Sequence, residues 1–107
     1  MRLGFKLIAE AYGPSDIVEQ AVRAEEAGFD FVEVSDHFHP WVSEHEHSGF
    51  AFSMLAAMAM RTSSIGLATG VTCPFIRYHP NRGDGWRLNA GRRAGVEIPA
   101  MMRSVVM

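Results

Sequence analysis

The chain has 107 residues, 48% of them hydrophobic, and a formal charge of -2. That is enough for one modest core and argues against a disordered chain, a nucleic-acid partner or an anionic-membrane partner. A single cysteine, Cys73, excludes an internal disulfide framework, and the short apolar run in M-R-L-G-F-K-L-I does not make a signal peptide. No stretch approaches a membrane-spanning helix, so a cytoplasmic protein is expected.

Residues 2 to 8 predict a first strand, because Leu3, Phe5 and Leu7 alternate with Gly4 and Lys6. Gly13-Pro14-Ser15 is punctuation, and Ser15 is the expected N-cap of a helix with Asp16 in its first turn. Ile17, Val18, Ala21, Val22 and Ala24 then recur at helical spacing. Ala27-Gly28 ends that helix, with Gly28 suited to the left-handed position beyond it.

A second strand follows over Phe29 to Val34, nearly continuous in apolar character. It turns polar at Ser35-Asp36-His37 and stops at Pro40. A carboxylate and imidazoles at a strand's carboxyl end occupy the place where α/β sheets put their chemistry. By pattern alone, an Asp cap followed by a surface His is the simpler description.

The loop from Val42 to Ser48 contains E-H-E-H. His39, His45 and His47 with Glu44 and Glu46 could supply zinc ligands, but their spacing lacks that of a strong metal motif. A solvated polar lid is the expectation, and no metal is assigned. Gly49 to Arg61 predicts a second helix, apolar nearly all round and therefore buried, with Met54, Met58 and Met60 as core filler. Ile65 to Thr69 predicts a third strand, and the order β-α-β-α-β with short connections predicts a parallel sheet.

Beyond residue 80 the pattern fails. Residues 1 to 80 carry a formal charge of -5, and residues 81 to 107 carry +3. The second segment has no sustained period and predicts an irregular or weakly helical tail. Its arginines, without interleaved aromatics, are weak grounds for a nucleic-acid site.

The segments L-G-F-K, A-x-x-A-E-x-x-G-F-D, V-S-D-H-F-H-P-W and T-G-V-T-C-P-F-I-R-Y-H-P together resemble the start of the bacterial luciferase-like flavin and deazaflavin oxidoreductases. The similarity is greatest to the branch with the coenzyme F-420-dependent glucose-6-phosphate dehydrogenases. The resemblance implies the N-terminal β-α-β-α-β portion of a TIM (β/α)₈ barrel over residues 1 to 80, with 81 to 107 as a non-family tail. It implies hydride transfer between an organic substrate, such as a sugar phosphate or alcohol, and coenzyme F-420, with FMN as the alternative. It maps catalytic roles onto Asp36 and His37, and a supporting wall onto Trp41. Asp36, Gly70, Val71 and Cys73 map near the cofactor, with a cis peptide expected at Gly70-Val71. Cys73 stands where the sugar-phosphate enzymes usually have Thr.

A whole barrel takes roughly 250 residues. A truncated or frameshifted reading frame is therefore expected, and an inactive barrel fragment is the alternative to an oxidoreductase. The expected partners are a small-molecule substrate and, for full-length relatives, a second copy. The exposed sheet edges of a fragment would favour self-association.

Overall fold

The computed structural model describes residues 1–72. Five elements follow in the predicted order: β1 (Gly4–Leu7), α1 (Pro14–Glu26), β2 (Phe31–Ser35), α2 (Ala51–Arg61) and β3 (Gly66–Val71). The three strands form one parallel sheet in the order β1-β2-β3. Cys73 and the segment from 81 to 107 lie outside the described residues. Among those described, no helix is long and apolar enough to cross a membrane.

Helix α1 starts two residues earlier than expected. Its N-cap is Gly13 rather than Ser15, with no side-chain cap bond, and Pro14 takes the first helical position. A proline there sacrifices no hydrogen bond and arrives with its φ already helical. Asp16 does lie in the first turn. At the other end Ala27 is the C-cap, and Gly28 has φ +86°. The Phe29 N–H donates to Ala24 O and the Gly28 N–H to Glu25 O, both at 3.0 Å. This pair of bonds is the Schellman motif, which needs a left-handed residue at Gly28 and turns the chain directly towards β2.

Both helices pack on one face of the sheet. Leu7, Val32, Val34 and Leu67 meet Ile17, Ala21 and Ala24 of α1 and Met54 and Met58 of α2 in a single core. Alternation along the strands puts Lys6, Glu33 and Ala68 on the opposite face. There the Lys6 ammonium pairs with Glu33 at 2.8 Å. One covered face corrects the expectation of a nearly continuous buried strand: Val32 and Val34 are buried, whereas Phe31 and Glu33 are only half-buried.

The same geometry corrects the reading of α2. Only Ala51, Met54 and Met58 are buried, and Met60 is 86% exposed. Its one apolar stripe faces α1 and the sheet, and no described element covers the other side. Met60 is therefore not core filler.

The α2–β3 connection is held from α1. One Glu25 oxygen accepts the N–H groups of Ser63, Ser64 and Ile65 at 2.9, 2.6 and 2.9 Å. Those N–H groups hold its carboxyl below the usual range, led by Ser64 and Ile65, against a smaller opposing effect of desolvation. This clamp fixes where β3 begins, and so where its carboxyl end emerges.

Candidate active site

Parallel strands deliver their carboxyl ends to one edge of the sheet. Here β1 leads into Ala9-Glu10, β2 into Ser35-Asp36-His37, and β3 into Val71-Thr72. The pairing of Val34 with Thr69 is followed by that of Ser35 with Val71, so Gly70 is skipped as a bulge. The Asp36 N–H then donates to Val71 O at 3.2 Å and ties the ends of β2 and β3 together.

The residue at the centre of this edge is one that sequence reasoning passed over. Glu10 is a carboxylate only 3% exposed. One of its oxygens, Oε2, accepts the Ser35 hydroxyl at 2.6 Å, and the other, Oε1, contacts Nδ1 of His37. Ser35 Oγ in turn accepts the Ala9 N–H at 3.0 Å. Burial pushes the Glu10 carboxyl up, but the bonds from Ser35, His37 and its own backbone, with the charge of His37, outweigh it. The group is held below the usual carboxylate range. The signal for Glu10 was available: an acid just past an apolar strand, the same logic that singled out Asp36.

His37 is thereby gripped at Nδ1. Its other ring nitrogen, Nε2, is buried and has no hydrogen-bond partner among the described residues. The edge of its ring meets Trp41, with centroids 4.7 Å apart and planes at 68°. Trp41 is 73% exposed, so it flanks the imidazole and leaves most of its own surface open. The connecting loop is pinned back to the site twice. Ser48 Oγ donates to the His37 carbonyl at 2.7 Å, and the His47 N–H donates to Glu10 O at 3.2 Å.

The remaining candidate residues divide. Asp36 is buried beside His37, but the carboxylate on Nδ1 is that of Glu10. Val71 ends β3 at the edge, next to Thr72, whose hydroxyl is also buried without a partner among the described residues. Gly70 lies directly under the Lys6–Glu33 pair: a Cβ there would overlap the Lys6 ammonium and the Glu33 carboxylate. The expected cis bond at Gly70-Val71 is corrected, because no described peptide bond is cis. Strand β3 runs on through Val71, where the Asp36 N–H keeps it in the sheet. Among the described residues no three His, Cys, Asp or Glu side chains are arranged to hold a metal ion.

This arrangement can orient an imidazole, fix its protonation pattern and offer one nitrogen to a ligand. The chain as a whole is similar to known proteins. Over 80 residues the chain is 50% identical to an F-420-dependent glucose-6-phosphate dehydrogenase of Kribbella flavida, covering 75% of this chain and 24% of that protein. Among solved structures, an F-420-dependent secondary alcohol dehydrogenase in complex with an F-420-acetone adduct matches with a TM-score of 0.81 and 35% identity. That match covers 91% of this chain and 30% of the other. The coenzyme F-420-dependent tetrahydromethanopterin reductase of Methanopyrus kandleri matches with a TM-score of 0.68 and 25% identity, over 83% of this chain and 23% of the other. The chain thus spans about a quarter of the length of the curated relative it matches. The family profile described as luciferase-like monooxygenase matches residues 1–82. Three parallel strands with both helices on one face, the polar cluster at their carboxyl ends and these matches lead to one conclusion: the chain belongs to the luciferase-like monooxygenase family.

Proposed function

We propose that this chain is the N-terminal part of an oxidoreductase that moves hydride between an alcohol-type substrate, such as a sugar phosphate, and coenzyme F-420. The observation that carries the reading is His37: Nδ1 held by a buried carboxylate, Nε2 buried and without a partner among the described residues. The names of the similar dehydrogenases support the cofactor and the substrate class.

When bound, the deazaflavin supplies the carbon that accepts or returns hydride. The residues present suit such a group. Loss of hydride from an alcohol carbon leaves a hydroxyl proton, and an oriented neutral imidazole is the side chain best matched to remove it. His37 Nε2 takes that proton. Glu10 stabilises the imidazolium that results, because a carboxylate beside a cation favours the charged form. Trp41 flanks the imidazole and limits the approach of water on that side. Asp36, Val71 and the Thr72 hydroxyl would hold the ring at the ends of β2 and β3. The substrate is a small molecule, and neither nucleic acid nor membrane takes part.

A second reading, a fragment without turnover, is favoured by sheet edges that pair with no further strand among the described residues and by the quarter-length match. Oxidised F-420 titrated into the isotopically labelled chain separates the two, with FMN as the competing ligand. The expected result is a saturable shift of the His37 and Thr72 resonances by F-420. Turnover with an alcohol substrate, reduced by about 10²–10⁴ in His37→Asn, is expected for the enzyme. Binding without turnover selects the fragment. No shift at either residue sinks the proposal.

A further inference from the structure

The hydrogen bonds at the strand ends have a forced direction. The Ala9 N–H can only donate, so Ser35 Oγ is an acceptor in that bond at 3.0 Å. The hydroxyl has one proton, and the acceptor in reach is Glu10 Oε2 at 2.6 Å. An ionised carboxylate has no proton of its own, so Oε1 must accept as well, and the atom facing it is His37 Nδ1. Nδ1 therefore carries the proton of the neutral ring. That leaves the lone pair on Nε2, the nitrogen without a partner among the described residues.

From this chain of donors we infer that Ser35 is a positioning residue that sets the tautomer of His37 through Glu10. A backbone amide of β1's exit fixes the hydroxyl of β2, the hydroxyl fixes the carboxylate, and the carboxylate selects the ring nitrogen that is free to take a proton. Ser48 Oγ donates to the His37 carbonyl, a backbone oxygen, and so does not replace this contact at Nδ1. The consequence for catalysis rests on the reading of His37 as the proton acceptor. The tautomer itself does not, and it is measured without cofactor or substrate.

The test is a long-range proton–nitrogen correlation spectrum of the His37 ring in the full chain, recorded on the neutral imidazole. In the unmodified protein the Nδ1–H form dominates on the order of tenfold, the size of one charge-assisted hydrogen bond. Ser35→Ala removes the donor that holds the carboxylate against Nδ1, so the carboxylate swings off the ring and the two forms move towards parity, whereas Ser35→Thr keeps the hydroxyl and the preference. Glu10→Gln gives a sharper outcome. With the hydroxyl still donating, the carboxamide oxygen stays on Ser35 and its NH₂ turns to His37. Nδ1 must then accept, and the ring switches to the Nε2–H form. Should Ser35→Ala fail to fold, Glu10→Gln decides alone. An unchanged tautomer ratio in Ser35→Ala, or a persistent Nδ1–H form in Glu10→Gln, overturns the inference. Failure of F-420 to bind would leave this result standing, so the two proposals fail separately.

Discussion

Replacing Glu25 tests whether a carboxylate on α1 holds β3 in place. In Glu25→Ala three backbone N–H groups lose their acceptor at once. Ser63 and Ser64 are exposed, so water takes over their bonds and each contributes only about 0.5 kcal/mol. Ile65 is buried, and an unsatisfied N–H there costs about 1–2 kcal/mol. The sum is about 2–3 kcal/mol, well outside the ±0.5 kcal/mol expected of an ordinary surface change. For a domain of this size that lowers Tm by roughly 10–20 °C. The assay is urea and thermal unfolding followed by far-UV circular dichroism.

The pH dependence gives a second reading of the same clamp. The folded-state pKa of Glu25 lies below its ordinary value, so its stabilisation is fully present above the unfolded-state pKa of about 4.3. It is lost as pH falls through the lower, folded-state value. The difference in stability between the unmodified chain and Glu25→Gln should therefore hold from pH 7 to about 5 and close as the solution is acidified below about 4. The reasoning is refuted if Glu25→Ala unfolds within about 0.5 kcal/mol of the unmodified chain at pH 7. It is refuted equally if the gap to Glu25→Gln does not narrow on acidification.

The methionines of α2 should part sharply. Met58→Ala removes a fully buried side chain and costs about 2–5 kcal/mol, while Met60→Ala, on the open side of the helix, changes stability by under about 0.5 kcal/mol. Equal effects in thermal melts would contradict the packing of α2. Gly70→Ala is expected to displace the flexible ends of Lys6 and Glu33 rather than backbone, at a cost of about 1 kcal/mol or less, the worth of a half-exposed ion pair. A loss above about 2 kcal/mol would mean that the bulge itself cannot accept a Cβ. Leu3 and Ile8, both exposed, flank strand β1, whose outer edge pairs with no other strand among the described residues. The chain is therefore expected to self-associate with rising concentration in size-exclusion chromatography with light scattering, and Ile8→Lys to weaken that association. A single monomer peak at every concentration would refute it.

Much of the fold was legible locally. The alternation of Leu3, Phe5 and Leu7 and the helical spacing of Ile17, Val18, Ala21 and Ala24 identify elements that the structure contains. So does Gly28, because a left-handed backbone position leaves a mark in residue type. Met60 was misread for the opposite reason. An apolar stripe says that a face can be buried, and only a neighbour makes it so. The N-cap at Gly13 was missed because Pro14 and Ser15 both carry start signals and the sequence does not rank them.

The site shows the same division. The sequence alone marked the polar end of β2, since Asp36 and His37 break an apolar run within three residues. It identified the family motif and, through it, a chemistry. It could not pair His37 with Glu10, which lies 27 residues away. That contact exists because parallel pairing in register brings the ends of β1 and β2 side by side. Nor could it assign the Ser35 hydroxyl to the Ala9 amide and the Glu10 carboxylate. The type of each element follows from residues close together in the chain. Which carboxylate meets which imidazole, and which nitrogen is left free, follows from strand register, a relation between segments that a linear pattern does not encode.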